Sequence, residues 1–272
     1  MITLNNVVKK YNQKVVLNDI SFAIEPGQSI AFTGHNGCGK STLLKVVAGL
    51  IQPTSGKVEY EQPFLFHYVP EHFPKMNFTA EEYLLFQGGM DGLTEGMVKE
   101  QIHCLSEDFF FENMLHTKMK HLSKGSLQKV GVIQALLKEP DVLLLDEPLS
   151  GQDVASQQVF IDKMNALRQN GVTILMSCHE PYLIDAITDW TYRFENGKLT
   201  AVKNEKSLEE KWFVLFFEKG PGAVVSEKCK GHLQFVEGGC KLRCSERYSN
   251  EIIVEMLNAG WNLRGMWNED GV

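Results

Sequence analysis

The sequence has no apolar run long enough to cross a bilayer. Its longest, residues 142–145 and 212–217, fall far short of the roughly 20 residues that a spanning helix needs. The first residues, Met1-Ile2-Thr3-Leu4-Asn5-Asn6, lack the charged-then-apolar order of a secretory signal. Paired cysteines are missing as well. Cys38, Cys104, Cys178, Cys229, Cys240 and Cys244 are scattered without a CxxC, and they read as thiols of a reducing compartment. Cys229, Cys240 and Cys244 are the nearest thing to a metal set, but their spacing is poor, and free thiols in a small sheet is the better reading. There is no basic stripe, and the formal net charge is -7, so nucleic acid is not expected as a partner. Internal repeats and low-complexity tracts are also absent. Together these absences predict a cytoplasmic chain. What is present is ordinary globular material: 272 residues, 43% hydrophobic and 22% charged, enough for one large domain or two modest ones.

Periodicity divides the chain. Residues 2–8 alternate apolar and polar, residues 15–24 do so loosely, and Pro26-Gly27 closes the second run, predicting two strands. Residues 29–33 form a short run ending in glycine. A helical pattern follows from Ser41 through Leu43, Leu44, Val46, Val47 and Leu50, ending at Pro53. Residues 73–138 read as a helical insertion, opened by a capping box at Thr79 and Glu82. The α/β rhythm then returns. Residues 141–146 and 172–177 are strands around a helix at 154–169, which Asn170-Gly171 closes; a short helix at 180–186 precedes a hairpin at 191–202 turning at Asn196-Gly197. Beyond Lys203, strands at 212–218, 232–237, 240–244 and 262–267 and a helix at 247–258 predict a small α+β appendage, with turns at Pro221-Gly222 and Gly238-Gly239. The expected division is 1–202 and 203–272.

Gly34-His35-Asn36-Gly37-Cys38-Gly39-Lys40-Ser41-Thr42 satisfies G-x-x-x-x-G-K-S/T between a predicted strand and a predicted helix. Glycines let successive backbone N–H groups curl round phosphate oxygens, and the following helix points its positive end at the same anion. Lys40 adds a full charge toward the outer phosphates, and the Ser41 hydroxyl can ligate Mg²⁺. Such a loop serves kinases, GTPases, helicases and transport ATPases equally.

A second pattern narrows the choice. Residues 141–145 form a buried-type strand leading into Asp146-Glu147-Pro148. An acidic residue at the carboxyl end of a parallel strand is where a Mg²⁺ partner sits, and two adjacent carboxylates can divide labour, Asp146 at the metal and Glu147 on the attacking water.

Phosphate loop, strand and Asp-Glu-Pro together resemble the ATPases of ABC (ATP-binding cassette) transporters, over about residues 1–202. The resemblance implies a P-loop NTPase (RecA-like) α/β core with an N-terminal antiparallel β subdomain and the helical insertion. It assigns Tyr11 to stacking on adenine, and residues 34–42 (Gly34, Asn36, Gly37, Cys38, Gly39, Lys40, Ser41 and Thr42) to the nucleotide. The family signature is matched by Leu122, Ser123, Gly125 and Gln128 but not by Lys124 or Ser126; Ser123 and Gly125 would face the γ-phosphate bound by a second subunit. Lys124 either adds charge there or is solvated. Asp153 takes the acidic place in the loop Leu149-Ser150-Gly151-Gln152-Asp153, and His179 matches the histidine that contacts the γ-phosphate. Glu71 departs from the family by replacing a glutamine that senses Mg²⁺; it can still ligate the metal, with Ser41 and Asp146, but cannot donate a hydrogen bond when ionised. Glu147, His179 and Lys40 would carry the chemistry. The implied cofactors are ATP and Mg²⁺. The implied partners are a second cassette and an integral-membrane permease, placing the chain on the inner face of the cell membrane, with export favoured. A non-transport ATPase acting on ribosomes or DNA is the alternative. The appendage is read equally as a regulator or dimer contact and as a stabilising cap.

Overall fold

The computed structural model describes residues 1–149, 151–202, 212–220, 222–223, 233–236 and 238–268. They belong to two compact units, Met1–Asn204 and Glu205–Val272. The first unit begins with β1 (Ile2–Tyr11), β2 (Lys14–Ile24), β3 (Ser29–Thr33), α1 (Lys40–Val47), β4 (Ser55–Tyr60) and β5 (Phe66–Val69). Three helices follow, α2 (Ala80–Met90), α3 (Glu95–Asp108) and α4 (Lys124–Leu136). The remainder is β6 (Val142–Asp146), α5 (Val154–Gln169), β7 (Thr173–Ser177), α6 (Pro181–Ile187), β8 (Trp190–Glu195) and β9 (Lys198–Val202).

Two sheets share the unit. β2-β1-β4 is antiparallel, and β5-β6-β7-β3-β8-β9 is parallel except for the β8–β9 hairpin. β3, β6 and β7 are apolar almost throughout because both faces of a parallel sheet are covered, and every residue of β6 and β7 is buried. The β8–β9 turn uses Asn196 and Gly197, both at positive φ (50° and 75°), as a two-residue hairpin of this hand requires. The insertion packs its own core, Leu84, Val98, Ile102, Phe109 and Val130, against the sheet. Its first helix opens with the predicted capping box: Thr79 Oγ1 accepts from Glu82 N at 3.1 Å, and Glu82 Oε2 accepts from Thr79 N at 2.8 Å.

Several expectations needed revision. α1 stops at Val47, not at Pro53, because Gly49 adopts φ 71° and the N–H groups of Gly49 and Leu50 turn back to Val46 O and Lys45 O, which ends the helix. β4 and β5 were not anticipated. β4 is mostly exposed, so no apolar alternation marks it, and β5 is four residues interrupted by His67. The strand read from Asp141 starts at Val142; the Asp141 carboxylate instead accepts from Leu65 N at 2.7 Å.

The second unit contains β10 (Trp212–Lys219), β11 (Leu233–Val236), β12 (Gly239–Ser245), α7 (Glu246–Asn258) and β13 (Trp261–Asn268), with antiparallel order β11-β12-β10-β13. Leu215, Phe217, Leu242, Met256 and Trp261 form its core, together with Cys240 and Cys244. Of the expectations for this region, those on Pro221, Cys229, His232 and Glu237 lie outside the described residues. Among the described residues there is no cluster of three or more His, Cys, Asp or Glu side chains able to hold a metal.

Candidate active site

The order β6-β7-β3 places the carboxyl ends of three strands side by side. Asp146 pairs in register with Ser177, and Ser177 with Phe32, so the loops after β3, β6 and β7 leave the sheet at one edge. In doubly wound sheets this edge is where ligands bind.

The loop after β3 is shaped by what lies under it. Gly34 (φ 138°) sits where a Cβ would come within 2.7 Å of the Phe194 carbonyl, and a Cβ on Gly39 (φ 125°) would meet the Phe194 ring and Val16 O at 3.0 Å. Only glycine satisfies both the backbone conformation and the close approach. Buried Phe194 in β8 is therefore the floor of the loop. Lys40 folds back beneath the curl, its Nζ donating to Gly34 O at 2.8 Å, and is only 5% exposed. Gly39 precedes α1 without a side-chain cap, and the first turn of α1 has no acidic residue, so its amide dipole is left for an incoming anion.

Facing this loop are the carboxylates. Asp146 is buried, and Oδ1 accepts from Ser41 Oγ at 3.0 Å and from Ser177 Oγ at 2.6 Å; Oδ2 accepts from Tyr68 OH at 3.1 Å. Burial, followed by the charge of Asp146, pushes the Tyr68 phenol well above its usual range, so it remains a donor. Glu147 is held at φ 49°, a conformation non-glycine residues rarely adopt, and its N–H donates to both the carbonyl and the hydroxyl of Ser177. That turn aims the Glu147 side chain at the loop, 3.8 Å from Lys40 Nζ. His179 closes the group: its Nε2 lies 3.0 Å from Lys40 Nζ, 3.0 Å from Glu147 Oε1 and 3.1 Å from Asn36 Oδ1. One donor and two acceptors thus surround a single ring nitrogen, and its proton decides which it serves. The neighbouring Cys178 thiol is pushed up by burial and by its hydrogen bond to Glu180, which leaves it unreactive.

Of these groups Lys40, Ser41 and Glu147 line a cleft of about 630 Å³, whose walls also include Tyr11, Lys14, Asn36, Gly37, Thr42 and Glu71, while Asp146 and His179 are not on its surface. Tyr11 is 48% exposed with Lys9 Nζ 5.2 Å from its ring centre, an aromatic face presented to solvent. Glu71 shares the cleft with Glu147, its carboxylate 3.6 Å from His72. Cys38 is buried under the loop, 3.0 Å from the position of a Gly34 Cβ.

Ser123, Gly125 and Asp153 do not line the cleft. Ser123 caps α4 by accepting from Ser126 N at 3.1 Å. A Cβ on Gly125 would meet Gly151 O at 2.1 Å, so α4 lies directly on the loop after Glu147. Asp153 caps α5 through Ser156 N at 2.9 Å and pairs with Lys129 of α4 at 3.0 Å. Of the five-residue loop assigned to this region, Ser150 lies outside the described residues. Tyr68, Ser177 and Lys129 are not singled out by the sequence as site residues, although Tyr68 and Ser177 hold Asp146 and Lys129 holds Asp153; single polar side chains scattered along a chain carry no spacing signal.

The donors fit the groups the sequence implies. Ser41 and Asp146 offer only oxygen, the chemistry a hard divalent cation selects, and a Mg²⁺ bound with phosphates needs few protein ligands. The curl is pressed onto Phe194 and Val16, so Gly34 and Gly39 leave no room for a side chain beneath it, and α1 begins without a side-chain cap to compete for its first amides.

Known proteins resemble the chain in sequence and in fold. The sequence model of the family described as ABC transporter matches residues 17–150. An ABC transporter ATP-binding protein of Methanocaldococcus jannaschii is 32% identical over 198 residues, spanning 72% of this chain and 75% of that protein. The zinc import ATP-binding protein ZnuC of Yersinia enterocolitica is 34% identical over 193 residues, 70% of this chain and 74% of its own length. A solved ATP-binding subunit of an ABC transporter is 28% identical and superposes with a TM-score of 0.70, covering 76% of this chain and 91% of that one.

Proposed function

Because this chain belongs to the ABC transporter family as an ATP-binding, ATP-hydrolysing subunit, we propose that it is one cassette of a two-cassette motor driving a separate membrane permease. The carrying observation is Lys40 held beneath the glycine curl with Ser41 already in contact with Asp146. The amides of residues 34–42 grip the phosphates, Lys40 neutralises charge growing on the transferred phosphoryl group, and Tyr11 offers its ring to the base. Ser41 and Asp146, with Glu71 lining the cleft beside Ser41, would hold Mg²⁺, which would offset the charge of the phosphates. Glu147 polarises the attacking water, and His179, between Lys40 and Glu147, keeps that carboxylate and the leaving phosphoryl in line. Ser123 and Gly125, away from this cleft, serve the nucleotide of the second cassette.

Among the described residues no helix is long and apolar enough to cross a membrane, so the path for the solute is supplied by the permease. Placement on the inner face of the cell membrane follows from that partnership. The initial preference for export gains no support, since the relatives include a zinc importer, and the motor is proposed without a direction. Size-exclusion chromatography of Glu147→Gln with ATP tests the pairing: a stable dimer is expected with ATP and not with ADP, and a monomer under both conditions would remove the two-cassette arrangement.

A further inference from the structure

Asp146 is 3% exposed, and a carboxylate that deep must find its hydrogen-bond donors within the protein. Ser41 and Ser177 converge on Oδ1; Tyr68 is the donor at Oδ2. The distinction matters because the terminal torsion of an aspartate is soft and roughly two-fold. Donors on one oxygen leave the carboxylate plane free to swing about it. A donor on the other oxygen, carried by a ring anchored in β5, fixes that plane. A hydroxyl beside a carboxylate oxygen at 3.1 Å is the donor of the pair, so the bond runs from Tyr68 to Asp146.

The same strand leads directly to other parts of the site. Two residues on, Pro70 O accepts from Gln128 Nε2 of α4 at 3.1 Å, and Gln128 is 1% exposed, so this contact is sealed from water. Glu71, next along, lines the cleft. Four consecutive residues therefore touch the buried carboxylate, the helix that carries Ser123 at its cap, and the nucleotide cleft.

We propose that Tyr68 is a positioning residue that sets the carboxylate plane of Asp146 for the divalent cation and ties that plane to the position of α4; this rests on the cleft being the nucleotide site. Tyr68→Phe removes one hydroxyl and keeps the ring, so packing is retained. ATP binding to the full chain is measured at stepped free Mg²⁺ and again in EDTA, alongside thermal unfolding. The half-saturating Mg²⁺ concentration is expected to rise about tenfold, the scale of one hydrogen bond to a charged group, while binding in EDTA stays at the wild-type value and the unfolding temperature falls by a few degrees at most. An unchanged Mg²⁺ requirement, or an equal loss of binding in EDTA, would overturn the role and leave Tyr68 as packing alone. In an Asp146→Asn background the Mg²⁺ effect of Tyr68→Phe is expected to vanish, and its persistence would equally contradict action through Asp146. A wild-type chain that binds no ATP with or without Mg²⁺ would instead strike down the nucleotide site itself.

Discussion

Ser41 Oγ donates to Asp146 Oδ1 at 3.0 Å, joining the first turn of α1 to the end of β6 across 105 positions of sequence. One side chain follows the phosphate loop and the other ends the central strand, so the contact defines where loop and carboxylate meet. Replacing Asp146 with Asn puts an amide among three hydroxyl donors and removes the charge. Mg²⁺-dependent phosphate release is expected to fall at least about 100-fold, the scale of losing a positioned electrostatic group. A rate within a factor of two of wild type would take Asp146 out of the site.

Glu147→Gln separates binding from chemistry. The strained φ of 49° and both bonds from its N–H to Ser177 are backbone features that glutamine keeps. What is lost is the negative charge beside Lys40 and the ability to accept a proton, the latter a contribution of roughly 10²–10⁴ in rate. Equilibrium ATP binding is expected to match wild type while turnover collapses; equal loss of both would assign Glu147 to binding.

Gly125 is required for space. A Cβ there would lie 2.1 Å from Gly151 O, a backbone atom that cannot step aside without moving the loop after Glu147. Gly125→Ala is expected to destabilise the first unit by about 1–3 kcal/mol, as overpacking does. Differential scanning calorimetry should show the transition lowered by several degrees, and an unshifted transition would mean that α4 does not sit on this loop.

Asp153 gives a pH signature. Its carboxyl is held well below the ordinary carboxylate range, first by the Ser156 backbone N–H and then by the Lys129 ammonium. A group whose folded pKa is depressed stabilises fully above its unfolded value, near 4, and loses that contribution as pH falls toward the folded value. The carboxylate is more than half exposed, so solvent screens the ion pair and the helix cap supplies most of the effect. Asp153→Ala should cost about 1–2 kcal/mol at pH 7, with the gap to wild type narrowing below pH of about 4. Thermal unfolding across that range checks it, and a gap that widens on acidification would contradict the assignment.

Much of this site could be read from sequence because its chemistry fixes spacing. A curl of amides needs Gly34 and Gly39 at set distances from Lys40, and a buried parallel strand ending in carboxylates shows as an apolar run before Asp146. Hairpin and cap chemistry located the Asn196-Gly197 turn and the start of α2 equally well. Long-range hydroxyl contacts could not be read. Tyr68 and Ser177 stand 78 and 31 positions from Asp146, and neither residue type announces a partner. β4 escaped because an exposed strand has no inward face to pattern, and β5 because four residues are too few to establish a period. The end of α1 was set by Gly49, whose left-handed turn outranked the apolar residues beyond it.

The most direct test is ATP binding to the purified full chain by isothermal titration calorimetry in millimolar Mg²⁺, beside Lys40→Ala. Removing an ammonium that is 5% exposed and seated under Gly34 takes the charge from the cradle. The account predicts saturable binding by wild type and at least about a hundredfold weaker binding by Lys40→Ala, since charge-assisted bonds to phosphate are the strong ones. Wild-type protein showing no heat of binding, or a Lys40→Ala protein that binds as tightly, would contradict it.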